Sequence, residues 1–178
     1  MKGKILSILL SFILFLILYF LQANFFNWFT IAGIKPNLFV VFVLCTGLFG
    51  GRIVGSLLGM IYGVLLDIWI GQKIGISGIL LGIIGFAGGY LDKNFSKDSK
   101  LTIILMSVGA TLGYEFLQYA IRVISNNINL ELIAFFKIIA IEIIYNGILI
   151  IILYPIIQKW GYYLEGQFKG RKILTRYF

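Results

Sequence analysis

Apolar residues are concentrated in six stretches of the chain, and the segments between them and at the two ends of the chain carry most of the charged residues. The stretches are Ile5 to Leu21, Leu38 to Phe49, Ile53 to Ile70, Ile74 to Leu91, Leu101 to Ile121, and Ile133 to Ile157. An α-helix needs about 20 apolar residues to cross the hydrocarbon core of a bilayer, and most of the stretches come close to that length. The pattern therefore predicts an all-α, polytopic membrane protein with six transmembrane helices.

Glycine recurs at every fourth position across the second and third stretches, at Gly47, Gly51, Gly55, Gly59 and Gly63. Residues four apart stay near one face of an α-helix, so these glycines predict a smooth band that lets helices approach closely. The region cannot be one straight helix, because Pro36 to Asp67 would span ~48 Å against a hydrocarbon core of ~30 Å. We expect a break at Phe49-Gly50-Gly51-Arg52, and a hairpin whose two helices approach each other through the band.

The second stretch is the shortest, with 12 residues from Leu38 to Phe49. A helix of that length is expected to tilt, to extend through Pro36, or to lie against protein rather than lipid. The fourth stretch predicts a second close-packing surface, because glycine is frequent within it and just before it, at Gly71, Gly75, Gly78, Gly82, Gly85, Gly88 and Gly89. We expect a single integral membrane domain over residues 1–178, with a short second helix.

Composition and charge agree with this class. Of the 178 residues, 60% are hydrophobic, which is more than a soluble domain could bury. Eleven of the 15 lysines and arginines fall on one side of a six-span topology, and the other four are Lys35, Lys73, Arg122 and Lys137. Because positive residues favour the cytoplasmic side, we expect both termini in the cytoplasm. The net charge of +8 follows the membrane and does not predict a nucleic-acid partner.

The two ends of the chain each allow an alternative. The first stretch follows Lys2 and Lys4, as in a signal peptide, but its length and the lack of a small-x-small cleavage site favour an uncleaved helix. Residues 159–178 predict a basic, aromatic cytoplasmic tail that anchors the chain at membrane lipids, and protein docking is the alternative. The basic residues expected at lipid headgroups are Lys169, Arg171, Lys172 and Arg176.

Three carboxylates lie in or near the apolar stretches, where an unpaired charge is costly. Asp67 ends the third stretch, whereas Glu115 and Glu142 lie inside the fifth and sixth, all in the outer half of the bilayer under this topology. Because helical neighbours recur at three and four residues, one face of the fifth helix carries Glu115, Gln118, Tyr119 and Arg122. On the sixth helix Glu142 and Asn146 share a face, and we expect the two polar stripes to face each other.

Two interpretations of these stripes remain open. In the first, they are internal contacts, with Arg122 neutralising Glu115 and Asn146 holding Glu142. In the second, Glu115, Gln118, Arg122 and Glu142 line an outward-facing pocket that binds a polar ligand.

The residue content argues against an enzyme. The chain contains no histidine, so it cannot build a Ser-His pair, a Cys-His pair or a His-ligated metal centre. Its single cysteine, Cys45, excludes an internal disulfide and is most simply a small buried hydrophobe. Two-carboxylate chemistry remains formally possible, but no two carboxylates are adjacent in these stretches and no phosphate-binding loop opens a soluble helix. We expect no catalytic residue, no metal and no cofactor.

An ordered set of motifs extends over residues 35–90. It consists of Lys35-Pro36-Asn37, the short second span, Arg52-Ile53-Val54, and Gly59-x-x-x-Gly63-x-Leu65-Leu66-Asp67 followed by Gly75. In this order and spacing, the set resembles the rod shape-determining protein MreD family of the bacterial inner membrane. Asn146-Gly147 followed by Pro155 is similar to the final helix of that family. The motif residues carried over by the resemblance are Pro36, Asn37, Gly59, Gly63, Asp67, Asn146 and Gly147.

The expected roles of these residues follow from physical chemistry. Pro36 is expected to cap the entry of the second helix, since its φ suits a helix start. Gly51, Gly55, Gly59 and Gly63 are expected to form the packing face for a helix or a partner. Asp67 is expected to act as an N-cap or a polar latch at the outer surface.

The resemblance implies a non-enzymatic component of the machinery that elongates the lateral cell wall. Its implied partners are a bitopic MreC-like protein, a RodA-type glycosyltransferase, a class B penicillin-binding transpeptidase and, indirectly, MreB filaments. The fold of the family resembles the S component of energy-coupling factor vitamin transporters, so the alternative function is vitamin binding by such an S component. S components that share a motor resemble one another in small residues on helix one, where this chain offers only Ser7 and Ser11. A lipid-handling membrane protein is a third class.

Overall fold

The computed structural model is an all-helical bundle that describes residues 2–71, 73–92, 99–126 and 131–169. Its six long helices are α1 (Lys2–Phe20), α2 (Leu38–Gly50), α3 (Arg52–Ile70), α4 (Ile76–Leu91), α5 (Lys100–Asn126) and α6 (Leu132–Phe168). A π-helical turn, Leu21–Phe25, and a short helix, Phe26–Trp28, continue α1. An isolated bridge between Ile31 and Ile34 is the extent of β-structure in the described ranges. The predicted all-α class is confirmed.

Four helical segments are long and apolar enough to cross a membrane, namely Gly3–Trp28, Arg52–Ile70, Lys100–Ser125 and Leu132–Phe168. The helices α2 and α4 are also apolar but shorter, with 13 and 16 residues. At their carboxyl ends α5 and α6 run beyond the predicted spans, which were expected to end at Ile121 and Ile157. Hydropathy locates the apolar part of a helix but not the polar turns that continue it.

The predicted break in the glycine-rich region is confirmed. Helix α2 ends at Gly50 and α3 begins at Arg52, with Gly51 between them at a φ of 98°. This backbone conformation suits glycine, which has no Cβ to clash with the preceding carbonyl group. Gly51 is therefore the turn residue of the hairpin, and its assignment to the helix-packing band is wrong.

The short helix α2 is the centre of the bundle, since all 13 of its residues are buried. It lies against protein rather than lipid, which was one of the three expectations for so short a helix. Its N-cap is Asn37, whose Oδ1 accepts a hydrogen bond from the N–H of Val40 at 3.3 Å. The expectations that the helix extends through Pro36 and that Pro36 caps it are wrong, because proline offers no side-chain acceptor to a free N–H. Pro36 is buried immediately before the cap.

The glycine band of α3 packs closely, but along most of its length the neighbour is α4 rather than α2. A Cβ atom on Gly59 would lie 2.8 Å from the carbonyl carbon of Leu81. One on Gly63 would lie 2.5 Å from the Cα of Gly78. Both distances are shorter than van der Waals contact, so only glycine allows this approach of the two backbones.

The three central helices meet at Gly55. A Cβ atom there would lie 2.6 Å from the carbonyl oxygen of Gly85 on α4 and 2.9 Å from the backbone nitrogen of Gly47 on α2. The hairpin contact expected from the sequence therefore exists at this level. We call α2, α3 and α4 the glycine layer, because glycines bring backbone atoms of these helices into close approach.

Helices α1 and α6 lie outside the glycine layer. In α1, the Oγ of Ser11 and the hydroxyl oxygen of Tyr62 on α3 are 2.5 Å apart. The ring of Phe15 stacks on Tyr62 with 4.5 Å between centroids. Most other side chains of α1 are exposed and apolar, as expected of a helix that faces lipid.

Helix α6 has 37 residues and continues through Pro155. At ~1.5 Å per residue it is ~55 Å long, well above the ~30 Å of a hydrocarbon core. The first part of the expected tail, residues 159–168, therefore belongs to this helix. After it, the Nζ of Lys169 donates to the carbonyl oxygen of Leu48 at 2.8 Å and pairs with Asp92 at 2.7 Å. The other basic residues expected at lipid, Arg171, Lys172 and Arg176, lie outside the described residues.

Candidate functional site

Asp67 closes the turn between α3 and α4. Its Oδ2 accepts hydrogen bonds from the backbone N–H groups of Gly75 at 2.8 Å and Ser77 at 3.1 Å, at the start of α4. Such N–H groups have no partner within their own helix, and a carboxylate also interacts favourably with the positive end of the helix dipole. Asp67 thus caps a helix to which it does not belong. With 1% of its surface exposed, its side chain is buried within the bundle.

A second polar group surrounds the start of α2. The backbone N–H of Asn37 donates to the Oδ1 of Asn146 on α6 at 2.9 Å, and the Nδ2 of Asn146 donates to the Oγ1 of Thr111 on α5 at 3.0 Å. The N–H of Leu38 donates to the Oε1 of Gln22 at 3.0 Å. Side chains from other parts of the chain therefore accept hydrogen bonds from the first backbone N–H groups of α2, and they fix the position at which this helix begins.

Glu115 on α5 and Glu142 on α6 meet beside this helix start. The hydrogen bond between Asn146 and Thr111 sets the register of α6 against α5, and one helical turn further along each helix this register brings Glu142 and Glu115 side by side. Asn146 lies one helical turn after Glu142 on the same face of α6. Glu142 is 4% exposed, whereas Glu115 is partly buried. The two polar stripes of the sequence thus face each other, with Asn37 between them.

The remaining residues of the α5 stripe lead from this pair to the end of the helix. Arg122 is exposed, and its charge acts on the carboxyl group of Glu115. Gln118 lies between them and is partly buried. The hydroxyl oxygen of Tyr119 accepts a hydrogen bond from the N–H of Glu131 at 3.0 Å, which ties α5 to the start of α6. The stripe therefore connects a buried carboxyl pair to the exposed end of the bundle.

Sequence reasoning missed two residues that join these groups. Thr111 accepts the hydrogen bond of Asn146, and it precedes Glu115 by four residues, so helical spacing could have added it to the stripe. Tyr114 is buried on α5 and lies near Ser77, beside the cap formed by Asp67. No pattern in the sequence distinguishes Tyr114 from other aromatic residues of the spans, because its role depends on the position of α4.

The hydrogen bonds of Asn146 join α6 to the start of α2 and to α5, so part of the α6 stripe is used inside the bundle. Among the described residues, two cavities of about 470 Å³ and 220 Å³ are lined almost entirely by apolar side chains. Neither is lined by a member of the polar stripes. Within the same part of the chain, no three His, Cys, Asp or Glu side chains converge in a way that could hold a metal ion. Asn146 joins three helices in this way, as buried polar side chains in membrane proteins commonly do.

The larger cavity is an apolar groove between α4 and α5, with α2 at its base. Leu44 of α2 and Ile84 of α4 line it opposite three small residues of α5, which are Gly109, Ala110 and Gly113. A Cβ atom on Gly109 or Gly113 would meet nothing within 4 Å. These two glycines differ in this respect from the glycines of the glycine layer. Gly147 on α6, a motif residue, also has this open space.

The comparison with known protein families agrees with the resemblance inferred from the motifs. A family model described as rod shape-determining protein MreD matches residues 2–163, which include five complete long helices and most of α6. No curated protein and no solved structure matches at a significant level. Because the family model covers most of the chain, the resemblance inferred from the motifs is confirmed: the chain belongs to the MreD family of rod shape-determining proteins.

Proposed function

We propose that this protein is a non-enzymatic membrane scaffold of the bacterial cell-elongation complex, and that it acts by recruiting partner proteins through lateral helix contacts. Membership of a rod shape-determining family supports the general role. The all-helical bundle and the internal use of its polar residues support a scaffold rather than a reaction centre. In this role the protein regulates cell shape and lateral peptidoglycan synthesis through its partners.

The observation that carries the proposal is the open groove on α5. In membranes, small residues at helix surfaces allow close helix approach, because lipid tails and apolar side chains offer similar dispersion contacts otherwise. Gly109 and Gly113 form such a surface in α5, yet within the described ranges no residue packs closely on them. The glycines of α3, in contrast, are already occupied by α4. The groove is therefore the better surface for an external helix.

The proposed occupant is the single transmembrane helix of a bitopic, MreC-like partner. A RodA-type glycosyltransferase and a class B penicillin-binding transpeptidase would join the same complex, and MreB filaments would be linked to it indirectly. The basic end of the chain would contact membrane lipids, since Lys and Arg near a membrane surface are attracted to anionic headgroups.

The membrane topology of this scaffold is proposed from charge and helix length. All six long helices would cross the cytoplasmic membrane. The shorter α2 and α4 would do so while packed against the longer helices around them. Both termini would face the cytoplasm, because 11 of 15 positive residues then lie on that side. The end of the bundle that carries Asn37 and Asp67 would face outward.

The same structure gives less support to vitamin binding. Ser7 and Ser11, the small residues of α1, are fully buried within the bundle. They are thus not presented to another protein, as a docking surface for a transport motor would require.

The scaffold is tested by substitution in the groove. Gly109→Leu and Gly113→Leu place side chains where a partner helix would pack, and should lower co-purification of the bitopic partner by about tenfold, which corresponds to ~1.4 kcal/mol. The matched control is Gly166→Leu, because a Cβ atom there also meets nothing within 4 Å but lies outside the groove. All three variants should insert at wild-type levels. Full co-purification and normal cell shape with both groove variants would refute the groove as the recruiting surface.

A further inference from the structure

The contact between Glu115 and Glu142 leaves a buried oxygen without a donor. The two carboxyl groups lie side by side, one helical turn from the Asn146–Thr111 hydrogen bond, and a carboxylate can only accept. Glu142 is 96% buried on the basis of its 4% exposure, and its Oε1 has no hydrogen-bond partner among the described residues. A buried acceptor that faces a second acceptor is unfavourable unless something positive lies between them.

The surrounding charges do not neutralise the pair. Arg122 on α5 supplies one positive charge on the Glu115 side. The start of α2, at Asn37, adds the partial positive charge of a helix N-terminus. Two ionised carboxylates at this site would therefore carry more negative charge than Arg122 and the helix start compensate, in the interior of the bundle, where uncompensated charge is costly.

We propose that Glu115 and Glu142 form a proton-binding site, in which the two carboxyl groups share one proton and so hold α5 against α6 at the start of α2. One carboxyl O–H then donates to the oxygen of the other, and the unpartnered Oε1 of Glu142 gains a partner. The remaining single negative charge is matched by Arg122 and by the helix start. Carboxyl pairs at close range share a proton for the same electrostatic reason in aspartic proteases.

A metal ion fits the same position poorly. Hard cations require several oxygen ligands, and the neighbouring neutral oxygens are already engaged. The Oδ1 of Asn37 accepts from Val40, and the Oδ1 of Asn146 accepts from Asn37. The Oγ1 of Thr111 accepts from Asn146. Only the carboxyl oxygens remain without a hydrogen-bond donor, and a proton shared between two carboxyl groups needs no further ligand.

The other groups around the pair are few. On α5, Arg122 acts on Glu115, and Tyr114 lies one residue before it and also interacts with Asp67 of α3. On α6, the hydroxyl group of Tyr145 donates to the carbonyl oxygen of Phe29, and Lys137 is exposed. Helices α2 and α4 present Asn37 and Ser77, which do not titrate. A pH response of the site is therefore assigned to the carboxyl pair by substitution at Glu115 and Glu142.

The experiment is infrared spectroscopy of the purified full-length protein in lipid nanodiscs. The probe is the C=O stretching band of a protonated carboxyl group, with H/D exchange to identify it. At neutral pH the wild type should show one such band, which Glu142→Gln and Glu115→Gln should each remove. Glu131→Gln, at an exposed carboxylate, should leave it unchanged. The wild-type unfolding temperature should fall as the pH rises, because loss of the proton leaves two negative charges together, and this dependence should be absent in Glu142→Gln.

Each alternative result is decisive. No protonated-carboxyl band in the wild type at neutral pH would overturn the proposal, as would a band that survives both glutamine substitutions. An unfolding temperature that rises with NaCl but not with choline chloride, together with a missing band, would identify a sodium site instead. Because the spectrum needs no partner protein, failure of this test is distinguishable from failure of the scaffold proposal.

Discussion

Glycines serve two different purposes in the glycine layer and on α5. In the glycine layer, a Cβ atom on Gly55, Gly59 or Gly63 would lie well inside van der Waals contact with backbone atoms of a neighbouring helix. On α5, a Cβ atom on Gly109 or Gly113 would meet nothing within 4 Å. The spacing of four residues is the same in both places. Sequence spacing thus identifies a smooth helix face, but the tertiary structure decides whether that face is already filled.

The comparison also separates stability from recognition. Close packing in the glycine layer depends on the absence of side chains at Gly55, Gly59 and Gly63, because each of these glycines lies against backbone atoms of a neighbouring helix. The two glycines of the groove lower the helix propensity of α5, yet they allow no closer packing within the protein. A residue that is unfavourable for the helix and unused by the fold is available for another molecule. The following substitutions test this division, beginning with the strongest expected effect.

Gly55→Leu should produce the largest loss of stability. The added side chain would enter the junction of α2, α3 and α4, where the nearest atoms are backbone and cannot rotate away. Overpacking of a tight core costs about 1–3 kcal/mol, and the rigid neighbours place this variant at about 3 kcal/mol or more. The measurement is the unfolding temperature in detergent, with Gly109→Leu as the control. Equal stability of the two variants would remove the distinction between the two regions.

Asp67→Ala should give the next largest effect, because it removes the cap that joins α3 to α4 within the glycine layer. The N–H groups of Gly75 and Ser77 would lose their acceptor, at a cost of about 1–3 kcal/mol. Hydrogen exchange of these two amides should accelerate more than that of the α4 interior. Asp67→Asn keeps an acceptor oxygen and should retain most of the protection. If Asp67→Ala left both amides protected, the capping role would be wrong.

Local features of the fold could be predicted from the sequence. The break around Gly51 was predictable because two glycines beside a charged residue interrupt a helix without help from distant residues. The shared faces of Glu115 with Arg122 and of Glu142 with Asn146 were predictable because helical periodicity is also local. The motifs gave the family for the same reason, since their order and spacing are properties of the chain itself.

The neighbours of these features could not be predicted in the same way. Spacing did not reveal that the α3 band faces α4 along most of its length. The cap at the start of α2 depends on Asn146, which is 109 residues away from Asn37 in the chain. Asp67 was recognised as a cap or latch, but its acceptor role depends on how the turn brings Gly75 and Ser77 back to it. Long-range approach of helices is decided by packing, which a single sequence does not display.

Gly113→Ala should have the smallest effect and the opposite sign. The added methyl group would meet no atom within 4 Å, so it introduces no strain, while alanine favours a helix over glycine by up to about 1 kcal/mol. The unfolding temperature should therefore stay constant or rise slightly, whereas Gly59→Ala should lower it because its methyl group would press on Leu81 of α4. Measured together in one detergent, these two variants differ only in which glycine surface receives the same methyl group. A decrease for Gly113→Ala as large as that for Gly59→Ala would mean that the α5 surface is already used by the fold, and would leave no open face for a partner helix.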